Sequence, residues 1–175
     1  MGDRFPAIGE LNRLTDSAFA EAVGVLFEGA PGFADRLAAE RPFADDAGLL
    51  DAASRVGGSL SEAHARQLLD AHPRIGADPR SMSGLSYAEQ GSTAAHQAAT
   101  DRHVAAELAR LNAAYEARFG FRYVIFVAGR PRTEVVPLLE AALERNRADE
   151  LRRAVADCVA IAGDRLHRLR TEEDG

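Results

Sequence analysis

Along most of the chain, apolar residues recur every three or four positions, the period of one face of an α-helix. Phe19, Val23, Leu26 and Phe27 form such a face behind Thr15-Asp16-Ser17, residues whose side chains suit a helix N-cap. Pro31 fits the first turn of a short helix carrying Phe33 and Leu37, which has to stop before Pro42. Leu49, Leu50, Ala53 and Val56 make a third stripe, closed by Gly57-Gly58. Ser59 with Glu62 three residues on has the spacing of a capping box, opening a helix through Leu68 and Leu69. His72-Pro73 ends that helix, because a residue before proline is pushed out of helical geometry.

From Arg74 to Leu85 the residues are those of a loop, rich in Gly, Pro, Ser and Asp. Ser86 and Glu89 repeat the capping-box spacing. A long helix follows, with Val104, Leu108, Leu111, Tyr115 and Phe119 on one face and Gly120 as its stop. Tyr123-Val124-Ile125-Phe126-Val127 is the one strongly β-like run. It has no second run to pair with, so an extended segment buried between helices is expected. Helices over 134–147 and 149–170 complete the pattern. The prediction is an all-α fold: a single-domain helical bundle over 1–175 with one extended apolar segment near 123–127.

Composition narrows what such a bundle does. The chain has 175 residues, 46% hydrophobic, with a formal net charge of -6. That is enough for a real core, and the acidic balance argues against binding nucleic acid by phosphate neutralisation. All 21 basic residues are arginine. Without lysine there is no Schiff-base chemistry through a protein amine and no P-loop lysine. The single cysteine, Cys158, excludes an internal disulfide and any CxxC site. No apolar run approaches a membrane span and no signal-peptide pattern opens the chain, so a soluble cytoplasmic protein without a membrane partner is expected.

Three residues stand out against a plain bundle. Arg165 falls on the same side of the last helix as Ala154, Cys158, Ile161 and Leu169. A guanidinium on a core-facing stripe needs an anion or several acceptors. It either serves a ligand or lies at the edge of the stripe, reaching water or bonding a buried carboxylate. His72 follows a helix C-terminus, where the dipole favours imidazolium, and Pro73 fixes its backbone. It is a candidate general acid or base, or only a cap. Glu89 is explained by its capping box alone; the alternative puts Glu89 and Gln90 at a helix N-terminus whose amides hold an anion.

Other constellations carry less. His96 and His103 have no carboxylate in register and make a poor metal site. His64 and His167 read as surface residues. The glycine-serine stretches at 57–59 and 83–86 match neither a nucleotide loop nor a nucleophile elbow.

Taken in order, His72-Pro73-Arg74-Ile75-Gly76, Ser86-Tyr87-Ala88-Glu89-Gln90 and Leu111-Asn112-x-x-Tyr115-x-x-Arg118-Phe119-Gly120-Phe121 resemble the OHCU decarboxylase family. Arg41-Pro42-Phe43, Arg145-Asn146 with Glu150-Leu151, and Ile161-Ala162-x-x-Arg165-Leu166 extend the likeness over about 11–170, leaving an acidic tail at 171–175. The sequence departs from the family's usual pattern at Thr93-Ala94 and at Gly32-Phe33, and no departure removes a catalytic group.

The resemblance implies an all-helical enzyme, commonly homodimeric, needing no cofactor or metal. Its reaction is the decarboxylation of 2-oxo-4-hydroxy-4-carboxy-5-ureidoimidazoline (OHCU) to (S)-allantoin in urate catabolism. It also implies a catalytic histidine at His72, an acidic partner at Glu89 and a substrate-binding arginine at Arg165. Pro73, Ser86 and Gln90 match positions around the ligand, and the segment of Tyr123, Val124, Ile125, Phe126 and Val127 one whose backbone holds the ring. Two other readings stay open: an enzyme of the same scaffold for another ureido or carboxylated heterocycle, and a non-catalytic helical interaction protein. An interaction protein should expose a sizeable apolar patch, whereas an enzyme should bury Arg165 within reach of His72 and Glu89.

Overall fold

The expectation of an all-helical chain holds. A computed structural model describes residues 5–30, 32–76 and 98–171, and among these are eight helices and no strand. They are α1 (Ile8–Leu11), α2 (Asp16–Gly24), α3 (Phe33–Ala38), α4 (Asp46–Gly58), α5 (Glu62–Ala71), α6 (Ala98–Phe119), α7 (Arg132–Leu143) and α8 (Arg147–Thr171). No helix among the described residues is long and apolar enough to cross a membrane.

Helix α8 is the spine: it packs on α4 and α5, while α6 pairs with α7 and α3 joins α2 to α4. Its buried face carries Ala154, Val155, Cys158, Val159, Ile161, Ala162, Arg165 and Leu166, the spacing of one helical stripe. Close approach of α4 depends on Gly57, where an added Cβ would stand 2.9 Å from Val155 Cγ1. On α6, Leu108, Leu111, Tyr115 and Phe119 are buried as predicted. Gly120, in the left-handed region at φ 76°, closes that helix with its N–H on the Glu116 carbonyl.

Several boundaries differ from the sequence reading. The four-residue α1 has too little periodicity to announce itself. Thr15 does cap α2, accepting from Ala18 N–H at 3.3 Å, but the helix ends at Gly24, and Leu26 and Phe27 are buried from the turn beyond it. The Ser59–Glu62 box does not form. Helix α4 runs through both glycines, and Ser59 closes it instead, its hydroxyl donating to the Val56 carbonyl. Ser61 is the N-cap of α5. Gly32, at φ 73°, caps α3, and Pro31 lies outside the described residues. The last two helices begin at Arg132 and Arg147, each two residues before the predicted start. The expected helix start at Ser86 also lies outside the described residues.

Arginines do much of the tying between elements. Arg41 donates to the carbonyls of Ala38 and Leu14, Arg147 to that of Phe119, and Arg170 to those of Phe5 and Pro6. Each guanidinium also meets a carboxylate, of Asp16, Glu62 and Asp46 respectively. Apart from the local bond to Ala38, orphan carbonyls at turns and helix ends are thereby satisfied from a distant part of the chain. Inside the core, the fully buried Glu150 accepts from Tyr115 Oη at 2.9 Å and from Arg153 Nε at 2.9 Å.

Candidate active site

The run 123–127 is extended and pairs with no strand, as its isolation in the sequence predicts. Tyr123, Val124 and Val127 are buried, while Ile125 and Phe126 are partly so. Among the described residues, none of its N–H groups enters a backbone–backbone hydrogen bond. Its shape is set from α8. Arg153 Nη1 donates to the Val124 carbonyl at 3.0 Å and also to the Asp157 carboxylate one turn further along α8. A segment held in this way keeps part of its backbone available to a ligand.

Against it stands the end of α5. His72 is the C-cap, with φ -74° and ψ 143°, the extended geometry that Pro73 demands of its predecessor. Arg122 donates to the carbonyls of both Asp70 and His72. Beyond Pro73, Arg74 forks onto Glu116 at 2.6 and 2.7 Å, and the buried Asn112 donates to the Ile75 carbonyl at 3.0 Å. The His72–Gly76 stretch is thus sewn onto α6, giving Asn112 a structural task.

Together with α8 these pieces form the walls of a narrow, solvent-open cleft. Among the described residues it is lined by His72, Pro73, Ile75, 123–127, Ile161 and Arg165. Of the residues singled out from the sequence, His72, Pro73, Tyr123, Val124, Ile125, Phe126, Val127 and Arg165 therefore meet in one place. Ser86, Glu89 and Gln90 lie outside the described residues. Val25 and Leu138 are the exposed large hydrophobic side chains among the described residues, and they are isolated from each other in the chain.

Arg165 is only 1% exposed. Its Nη1 donates to the carbonyls of Val25 and Leu26, both at 3.2 Å, and its Nη2 to Glu28 Oε1 at 2.7 Å. It bonds a carboxylate, as one of the two sequence readings has it, and it also lines the cleft. Glu28 was not legible beforehand, because it lies 137 positions away, in a turn with no periodicity.

His72 departs from expectation in its charge. Its Nδ1 sits 3.0 Å from the Leu68 carbonyl, which only accepts, so Nδ1 carries the proton and Nε2 the lone pair. Nε2 is buried with no hydrogen-bond partner among the described residues. Burial pushes the imidazole down to about 4; Arg165 adds to this, while the Leu68 bond and Glu28 oppose it. Desolvation thus outweighs the helix dipole, and the ring is neutral rather than imidazolium. Below it lies Cys158 Sγ, 3.8 Å from Nδ1, a thiol that burial pushes well up and so keeps protonated.

A depressed imidazole destabilises the fold in acid. Unfolded His72 titrates near its ordinary 6.5 and the folded residue near about 4, so the unfolded chain binds the extra proton between them. His72 contributes stability above about pH 6.5, and roughly 3 kcal/mol of it is lost on acidification through pH 4. Urea midpoints at pH 7.5 and 4.5 should converge for His72→Gln more than for the wild type. Equal acid sensitivity of the two proteins would contradict the assignment.

A family model described as OHCU decarboxylase matches residues 12–167. The 2-oxo-4-hydroxy-4-carboxy-5-ureidoimidazoline decarboxylase of Haloferax volcanii is 31% identical over 157 residues, spanning 90% of this chain and 92% of that protein. The uric acid degradation bifunctional protein PucL of Bacillus subtilis is 30% identical over 167 residues, 94% of this chain but 33% of PucL. Among solved structures, an OHCU decarboxylase crystallised in the presence of (S)-allantoin superposes with a TM-score of 0.67 at 22% identity, covering 90% of this chain and 99% of that one. At that identity the superposition speaks for the shared fold.

Proposed function

The chain belongs to the OHCU decarboxylase family, and from that premise we propose that it converts OHCU to (S)-allantoin and carbon dioxide in urate degradation. The observation that carries the reading onto this molecule is one cleft lined by a buried arginine and a neutral histidine whose Nε2 has no partner among the described residues. A cytoplasmic homodimer without nucleic-acid or membrane partners is part of the same proposal, as the family likeness implies.

In OHCU, C4 bears both the carboxylate and the hydroxyl, and C5 bears the ureido group. When the C4–carboxylate bond breaks, carbon dioxide leaves neutral, and the bonding pair moves into the ring's conjugated C=N system. The ring nitrogen that ends with the pair takes a proton from solvent, while the C4 hydroxyl gives up its proton to become the carbonyl of allantoin and C5 takes one. His72 Nε2 is suited to accept the hydroxyl proton, since the ring is neutral and its other nitrogen is occupied by Leu68. Glu89 is its partner in returning a proton to one face of C5, which makes a single enantiomer.

Arg165 anchors anionic or carbonyl oxygens of the substrate, with its fork pre-set by the turn that holds it. Pro73, Ser86 and Gln90 border the ligand, and the backbone of 123–127 holds the ring and ureido amides. The chemistry runs through the substrate's own π-system.

The test uses OHCU made in situ from urate by urate oxidase and hydroxyisourate hydrolase. Its decay should accelerate on adding the protein, with a rising circular dichroism signal of (S)-allantoin. Unaccelerated decay to racemic allantoin would move the scaffold to another ureido or carboxylated heterocycle.

A further inference from the structure

Three acceptors from one turn converge on Arg165. The carbonyls of Val25 and Leu26 take Nη1, and Glu28 takes Nη2. Glu28 is held at φ 53°, a left-handed conformation that residues with a long side chain seldom adopt, directly before Gly29 at φ 65°. Glycine would sit at position 28 without strain. A glutamate there points to its carboxylate as the reason. The carbonyls of Val25 and Leu26 already orient the guanidinium; what Glu28 adds is charge. Side-chain exposures of 1% for Arg165 and 14% for Glu28 leave that charge little screened by solvent.

We propose that Glu28 is a positioning residue that sets the effective charge of Arg165 in the cleft, restraining how tightly the site holds the substrate carboxylate before carbon dioxide leaves. This rests on the decarboxylase reading above. As the carboxylate departs, negative charge passes from its oxygens into the ring. An arginine with its full charge beside the carboxylate would stabilise the ground state more than the transition state and slow the step. With Glu28 offsetting it, Arg165 still orients the substrate by its fork but gives less of the attraction that the transition state must break.

The chosen substitution is Glu28→Gln, which keeps an oxygen for Nη2 and removes the charge. Turnover on OHCU and KM should fall together, each on the order of tenfold, the signature of a deepened ground state. Calorimetric binding to the full chain gives a readout independent of turnover. Hydantoin-5-acetate, a carboxylated ring, should bind Glu28→Gln on the order of tenfold tighter than wild type, while neutral hydantoin binds both alike. A merely structural Glu28 would instead weaken both probes in parallel, or raise KM, and either result overturns the proposal.

If Glu28→Gln does not fold, Glu28→Asp carries the test. Its carboxylate is withdrawn by one methylene, so the same changes should appear with smaller size, and a parallel weakening of the two probes again overturns the idea. Wild-type protein that fails to accelerate OHCU decay sinks the decarboxylase reading itself. Wild-type activity with no preference of Glu28→Gln for the carboxylated probe sinks only the role of Glu28.

Discussion

His72→Ala should lose turnover on OHCU by on the order of 10²-fold or more while its far-ultraviolet spectrum stays that of the wild type. The size follows from what the imidazole supplies: a neutral nitrogen lone pair at Nε2, held in one tautomer by the Leu68 carbonyl and lining the cleft with Arg165. Alanine has no group to replace it, and a water admitted to the vacated space is a far weaker base. The backbone should not follow the side chain. Pro73 keeps residue 72 extended, and Arg122 still bonds the carbonyls of residues 70 and 72. The loss should therefore fall on kcat rather than on the fold. Single-turnover kinetics beside a urea titration checks this; a near-native rate would remove His72 from the chemistry.

The second large effect is expected at Arg165, on two quantities at once. Arg165→Ala strips the donor from Glu28 and from the carbonyls of Val25 and Leu26. Breaking a fully buried pair costs about 3–5 kcal/mol; Glu28 keeps 14% exposure, so the loss should fall toward the lower end of that range and still lower the urea midpoint. On the substrate side, losing a charge-assisted contact should lower kcat/KM by roughly 10²-fold, mostly through KM. Arg165→Lys separates the two losses. Its ammonium restores much of the pairing with Glu28 but offers a point charge in place of a planar fork. It should recover stability further than it recovers KM. An unchanged KM and rate in Arg165→Ala would leave the arginine a purely structural element.

Which of these features could be read from the chain depended on how local their cause is. Arg165 betrayed itself because a cation on the Ala154–Cys158–Ile161 stripe violates the helical period, and period is a local property. His72 was visible because its proline fixes the end of a helix. Neither clue carried the protonation state: the dipole at the end of α5 favours imidazolium, and only the packing of Leu68, Cys158 and 123–127 around the ring shows that desolvation prevails. The Ser59–Glu62 box failed for a related reason. Two glycines look like a stop, yet contact between Gly57 and Val155 of α8 continues the helix through them. Glu28 had no sequence signal, since its partner is reached only through the folded chain. The isolated apolar run at 123–127 was correctly read as extended. That α8 holds it from one side through Arg153 was not, because the alternation of residues names no partner.

The ties made by Arg41, Arg122, Arg147 and Arg170 have one more consequence. A lysine ammonium discharges in moderately strong alkali, near pH 10, whereas a guanidinium keeps its proton beyond about pH 12. In a chain whose cations are all guanidinium, the bonds across helix ends and turns cannot be titrated away from the basic side. Alkali acts elsewhere. Burial holds the phenols of Tyr115 and Tyr123 and the Cys158 thiol in their protonated forms, so unfolding in base releases protons that the folded molecule keeps, while the guanidinium ties stay charged throughout.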